Sequence, residues 1–98
     1  MDPADFRGPL PPGFTRRRVR VAPGAERAYD AREWRDAIVL VESGELHLVG
    51  GGGGRRFRAG DVIALSDLPL RALRNGGTAP AVLVAVARGD EFRRAHPS

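Results

Sequence analysis

Arginine carries most of the chemistry available to this chain. All sixteen basic residues are Arg, a permanently protonated fork that donates hydrogen bonds and accepts none. The densest cluster is Arg16-Arg17-Arg18-x-Arg20 with Phe14 close by. Such a cluster suits nucleic-acid phosphates, and the aromatic ring suits stacking on a base. Read as a strand, however, the same spacing spreads the arginines over both faces. A charged edge strand that blocks sheet-to-sheet aggregation then needs no ligand, and nucleic acid is not an expected partner. Nucleophilic and acid–base sets are sparse. There is no cysteine, which removes thiolate nucleophiles, disulfides and thiolate metal sites. His47 and His96 each stand without a partner in the sequence and read as surface or rim residues, and no Ser–His–Asp set is visible.

The net charge of +4 and pI near 11.2 suggest an acidic partner only if the arginines were selected for one. With no Lys present and with Ala, Gly, Pro and Val abundant, the composition reads instead as the codon bias of a GC-rich bacterial genome. Ninety-eight residues fit one small domain, and a hydrophobic share of 42% argues against disorder throughout. No apolar run approaches the roughly 20 residues that cross a bilayer as a helix. The start, MDPADFRGPLPPGF, has acids and prolines where a secretory signal has a basic start and an apolar stretch. The expectation is a cytoplasmic protein with no membrane partner.

The elements that must position any site are short apolar runs separated by turn residues, the pattern of an all-β sandwich or barrel. Residues 1–13, with four prolines, read as a loose N-terminal arm with little to pack, and 89–98 as a polar tail with Phe92 its one anchor. Between them, 14–88 form the domain. Strands are expected over Arg16–Val21, Ala37–Glu42, Glu45–Val49, Arg55–Arg58, Val62–Leu65, Leu70–Arg74 and Ala81–Ala87. Leu46 and Leu48 share one face of their strand, with Glu45 and His47 on the other. Gly50–Gly54 is a five-glycine hairpin connection. The last run, AVLVAVA, is apolar on both faces and fits a central strand covered on each side. Ala25–Arg35 (AERAYDAREWR) is the best helix candidate, but the alternation at Tyr29 and Ala31 favours a strand.

Two spaced patterns join these elements: Gly24-x5-Asp30-x-Arg32-x4-Ala37-x6-Gly44 and Gly60-x5-Ser66-x-Leu68-x2-Arg71-x3-Asn75. With the stretches VLVESGELHL and RRFRAGDVIAL, they resemble the two motifs of the cupin family over roughly residues 17–88. The resemblance implies an all-β, single-domain jelly-roll β-barrel of about eight or nine short strands. Gly44 and Gly60 are expected to take positive φ, and Asn75 to tolerate the left-handed region and cap the following turn.

In the family, two His, a Glu and a later His coordinate a divalent metal. The matching positions here are Asp30, Arg32, Ala37 and Arg71. Arginine has no lone pair to give and alanine no donor atom, so no metal and no other cofactor is expected. The strand register then offers two roles for the replacements. One is an ion pair of Asp30 with Arg71 or Arg32 in the place of the metal. The other is an anion site of Arg32 and Arg71 walled by Val39, Val41 and Leu73, with Tyr29 and Trp34 beside it. The expected function is a metal-free, non-catalytic module that binds a small anionic ligand, senses it or serves a structural role. The alternative is a metal-independent isomerase, epimerase or cyclase working through Asp30, Arg32, Arg71 and Tyr29. A third reading is a nucleic-acid-associated protein using residues 16–20. A homodimer is expected, because the doubly apolar last strand and the outward-facing Ile38 and Leu40 call for a covered outer surface.

Overall fold

The computed structural model describes residues 6, 8–51, 54–66 and 68–88. Eight strands account for the apolar runs: β1 Phe14–Val21, β2 Glu26–Ala28, β3 Ile38–Ser43, β4 Glu45–Val49, β5 Arg55–Arg58, β6 Val62–Ala64, β7 Ala72–Arg74 and β8 Ala81–Arg88. They form two antiparallel four-stranded sheets, ordered β1-β8-β3-β6 and β2-β7-β4-β5, a jelly roll with two Greek keys. Among the described residues there is no helix long and apolar enough to cross a membrane.

Strand alternation builds the core. Val39 and Val41 of β3, Leu46 and Leu48 of β4, Leu73 of β7 and Leu83 of β8 meet between the sheets, each at most 4% exposed. β8 lies between β1 and β3 and is buried on both faces, as its unbroken apolar run implies. Leu83, Ala85 and Ala87 face the inter-sheet core, while Val84 and Val86 join Leu40 on the outer face.

That outer face corrects the expectation of an arm with little to pack. Phe6 is 1% exposed and sits with Leu10 and Ile38 against Leu40, Val84 and Val86. Arg16 of β1 ties the segment down: its two terminal nitrogens donate to the carbonyls of Phe6 at 2.6 Å and Gly8 at 2.9 Å. The apolar surface that argued for a homodimer is thus occupied by the chain itself. The expected C-terminal tail lies outside the described residues.

The segment after β2 differs most from expectation. The strand ends at Ala28, and residues 30–37 are consecutive turns, with Glu33 N–H donating to the Asp30 carbonyl, Trp34 to Ala31 and Ala37 to Trp34. Asp30 starts this path itself, because its carboxylate accepts the Arg32 N–H at 2.9 Å and so competes with a sheet ladder. Asp36 takes φ 56°, a left-handed conformation that Asp tolerates better than most residues. Ser66 Oγ closes the far end, accepting from Asp36 N–H and donating to the Trp34 carbonyl.

The glycine expectations hold at Gly44 and Gly60, with φ 76° and 98°. At Gly44 the fit is also spatial, since a Cβ there would lie 2.5 Å from the Pro80 carbonyl oxygen. Asn75, by contrast, is not in the left-handed region. Its role is a fully buried side-chain clamp: Nδ2 donates to the carbonyls of Val21 and Ala79, and Oδ1 accepts the Gly77 N–H. The expected cap on the following turn is that last bond.

Candidate functional site

The positions that match metal ligands in the family are scattered. Asp30 and Arg32 lie in the turn after β2, with side chains 53% and 75% exposed and 3.7 Å apart. An ion pair at that exposure contributes little. Ala37 is buried in the core, and Arg71 is exposed and makes no ion pair among the described residues. The Asp30–Arg71 pair is therefore not formed, although the Arg71 carbonyl accepts the Tyr29 N–H at 2.9 Å. One carboxylate, two guanidinium groups and a methyl group do not fit a divalent metal. Among the described residues, no three of His, Asp or Glu are grouped to hold one.

The residues read as walls of that site are core residues instead. Val39, Val41, Leu73 and Trp34 are each 0% exposed and present no surface to a ligand. Tyr29 packs against the same core, and its hydroxyl donates to the Leu65 carbonyl.

What the interior does contain is a charge cluster that motif reasoning did not find. Arg17 shares strand parity with the buried Val19 and Val21 and so turns inward. Arg27 stands opposite Leu73 on β7 and faces the same way. Both guanidinium groups converge on Glu33, which is 6% exposed: Arg17 Nη1 donates to its Oε2 at 3.2 Å, and Arg27 Nη2 to the same oxygen. Arg17 also lies over the Trp34 ring, 5.2 Å from its centroid, a cation–π arrangement. The signal for Arg17 was present in the alternation of β1. For Arg27 and Glu33 there was none, because a three-residue strand and a turn reveal no inward face.

A cavity of about 380 Å³ opens at the opposite end of the sheets, where the edge strands β5 and β6 lie on the same side of the two layers. Its wall is apolar: Leu48, Phe57, Ile63, Leu68 and Leu70 line it, with Arg55 the only charged side chain among its described residues. The Arg55 guanidinium lies 5.6 Å from the centre of the Phe57 ring. Leu48 and Ile63 point in from β4 and β6 by alternation. The turn at Gly50 and Gly51 approaches Pro69 so closely that a Cβ at Gly51 would fall 2.6 Å from the Pro69 carbonyl. The hairpin and the 68–70 segment thus close the mouth of the cavity on one side.

Neither a protein-family model nor a curated protein matches the sequence. Solved structures do. A Cupin 2 conserved barrel domain protein from Salinispora arenicola is 26% identical, with a TM-score of 0.63 over 90% of this chain and 76% of that one. A conserved protein with a double-stranded β-helix domain from Klebsiella pneumoniae is 25% identical, with a TM-score of 0.66 over 81% of this chain and 70% of its own. A sugar phosphate isomerase of the cupin superfamily from Silicibacter pomeroyi is 28% identical, with a TM-score of 0.58 over 90% of this chain but 57% of its own. With the jelly-roll strand order and the motif glycines, these likenesses make the chain a member of the cupin superfamily.

Proposed function

We propose that this protein is a non-catalytic binding module that takes a small anionic ligand with an apolar body in the cavity between β5 and β6. The composition of that cavity carries the reading. Apolar side chains surround one guanidinium, the arrangement that buries a hydrocarbon body and pairs its carboxylate. The lining has no His, Asp, Glu, Tyr, Ser or Cys among the described residues, so none of these lining side chains serves as a general base or a nucleophile. The volume of about 380 Å³ lies at the lower end of small-molecule sites.

Isomerase or epimerase activity is the second reading, favoured by the likeness to the Silicibacter pomeroyi sugar phosphate isomerase. It requires an acid–base group within reach of the bound substrate, and Tyr29 spends its hydroxyl on the Leu65 carbonyl.

Octanoate and octanol are the probes that separate charge from apolar fit. Calorimetric titration is expected to show saturable octanoate binding, with octanol weaker, and Arg55→Ala is expected to weaken octanoate about tenfold while leaving octanol unchanged. Equal affinity for the two probes, or none for either, sinks the reading.

A further inference from the structure

The outer face of the second sheet carries a polar row that the cavity does not use. Glu26 stands opposite Arg74, Arg74 opposite His47, and His47 opposite Arg56, so β2, β7, β4 and β5 each contribute one side chain to a single rung. Directly opposed residues have Cβ atoms only ~4.5–5.5 Å apart. Arg74 and Arg56 therefore flank His47 at close range. Both are exposed, and neither makes an ion pair among the described residues. The arginines of the 16–20 run differ. Arg16 holds the Phe6 and Gly8 carbonyls, Arg17 holds Glu33, and Arg18 pairs with Glu42.

The two arginines are not opposed to each other but stand on either side of His47, two strand spacings (~10 Å) apart, so an anion lying over His47 is within reach of both guanidinium groups. There is room for one. A hollow of about 430 Å³ is lined by His47, Leu48, Val49, Arg74 and the glycines at 50, 51 and 54, and it adjoins the first cavity through Leu48, Gly50 and Gly51. His47 is 26% exposed, and its Nε2 is buried without a hydrogen bond, 3.8 Å from Glu45 Oε1. Gly76 keeps the backbone after β7 clear of the ring, because a Cβ there would come within 3.4 Å of the imidazole Cε1.

We propose that this rung and its hollow bind the phosphate group of a small phosphorylated molecule. Guanidinium forks match phosphate oxygens in geometry and charge, and the hollow accommodates the organic body attached to the phosphate. A nucleic acid fits less well. Its backbone needs a basic track several phosphates long, whereas Glu26 closes one end of this rung and Glu45 stands beside His47.

The test is an NMR titration of the full chain with inorganic phosphate, glycerol phosphate and glycerol at constant ionic strength, following the His47 ring with the buried β8 amides as internal reference. Saturable His47 shifts are expected with both phosphates and none with glycerol. Arg74→Ala and Arg56→Ala should each weaken glycerol phosphate by about tenfold or more, while Arg20→Ala leaves it unchanged. Amide spectra establish that each variant is folded, and octanoate binding retained in Arg74→Ala separates this site from the cavity. An unshifted His47 with both phosphates overturns the proposal, as do folded arginine variants that bind as tightly as the parent. Binding of a single-stranded thymidine oligonucleotide, without any response to the small phosphates, overturns it as well.

Discussion

Glu33 holds two guanidinium groups on a carboxylate that is 6% exposed, and a buried charge stabilises only while its partners remain. Replacing it by Ala leaves Arg17 and Arg27 facing each other beside Trp34. Removing one member of a fully buried pair costs about 3–5 kcal/mol. Arg17 and Arg27 are 26% and 39% exposed, so solvent screens part of that cost and about 1–3 kcal/mol is expected for Glu33→Ala. A domain of this size loses roughly 4–8 °C in Tm per kcal/mol, which a thermal melt resolves easily. An unchanged Tm would mean the cluster is not structural. The residue types at the four ligand-matching positions were legible from the motif spacing, and their inability to hold a metal follows from donor chemistry alone. The Glu33 cluster was not legible, because its members come from β1, β2 and a turn, with no spacing to relate them.

At the scale of elements, glycine separates two effects that the sequence runs together. Gly44 and Gly60 both take positive φ, but a Cβ at Gly44 meets the Pro80 carbonyl oxygen at 2.5 Å while one at Gly60 meets nothing within 4 Å. Gly60→Ala should therefore cost only the backbone term of about 1–2 kcal/mol. Gly44→Ala should cost clearly more, because the backbone of β3 or of the residues before β8 must move to admit the methyl group. Urea midpoints for the two variants check this, and equal shifts would contradict it. Strands bounded by such turns were read closely: β4 and β5 match the residues expected for them, and β8 differs by one residue at its end. The segment after β2 was misread because alternation at Tyr29 and Ala31 looks the same in a strand and in a turn. The Asp30 carboxylate, bonded to the Arg32 N–H, decides for the turn.

For the molecule as a whole, the N-terminal segment completes the outer face of the first sheet. Phe6 and Leu10 cover Leu40, Val84 and Val86, and without them β8 and β3 would present a contiguous apolar stripe of the kind that drives association. Phe6→Ala combined with Leu10→Ala is expected to lower stability by about 2–4 kcal/mol and to shift the protein toward dimers or larger species in light scattering after size exclusion. If the variant remains as monodisperse as the parent, the segment does not protect this face. A homodimer of the kind expected from the outward-facing Ile38 and Leu40 has to use another surface or displace this segment.

By itself the sequence determined the strand alternation, the glycines that let the chain reverse, and the lack of a donor atom at three of the four ligand-matching positions, Arg32, Ala37 and Arg71. These are local properties, set by residue type and by spacings of a few positions. Only the tertiary structure decided that Arg17 and Arg27 turn inward onto Glu33, that Phe6 covers the outer face, and that Arg55 and Arg74 border adjoining hollows that share Leu48 and the turn at Gly50 and Gly51. Each of those facts depends on which strand lies beside which, as where Arg27 meets Leu73 and His47 meets both Arg74 and Arg56. Alternation tells a side chain which of two faces it shares with its neighbours; packing of the whole chain tells it what that face will meet.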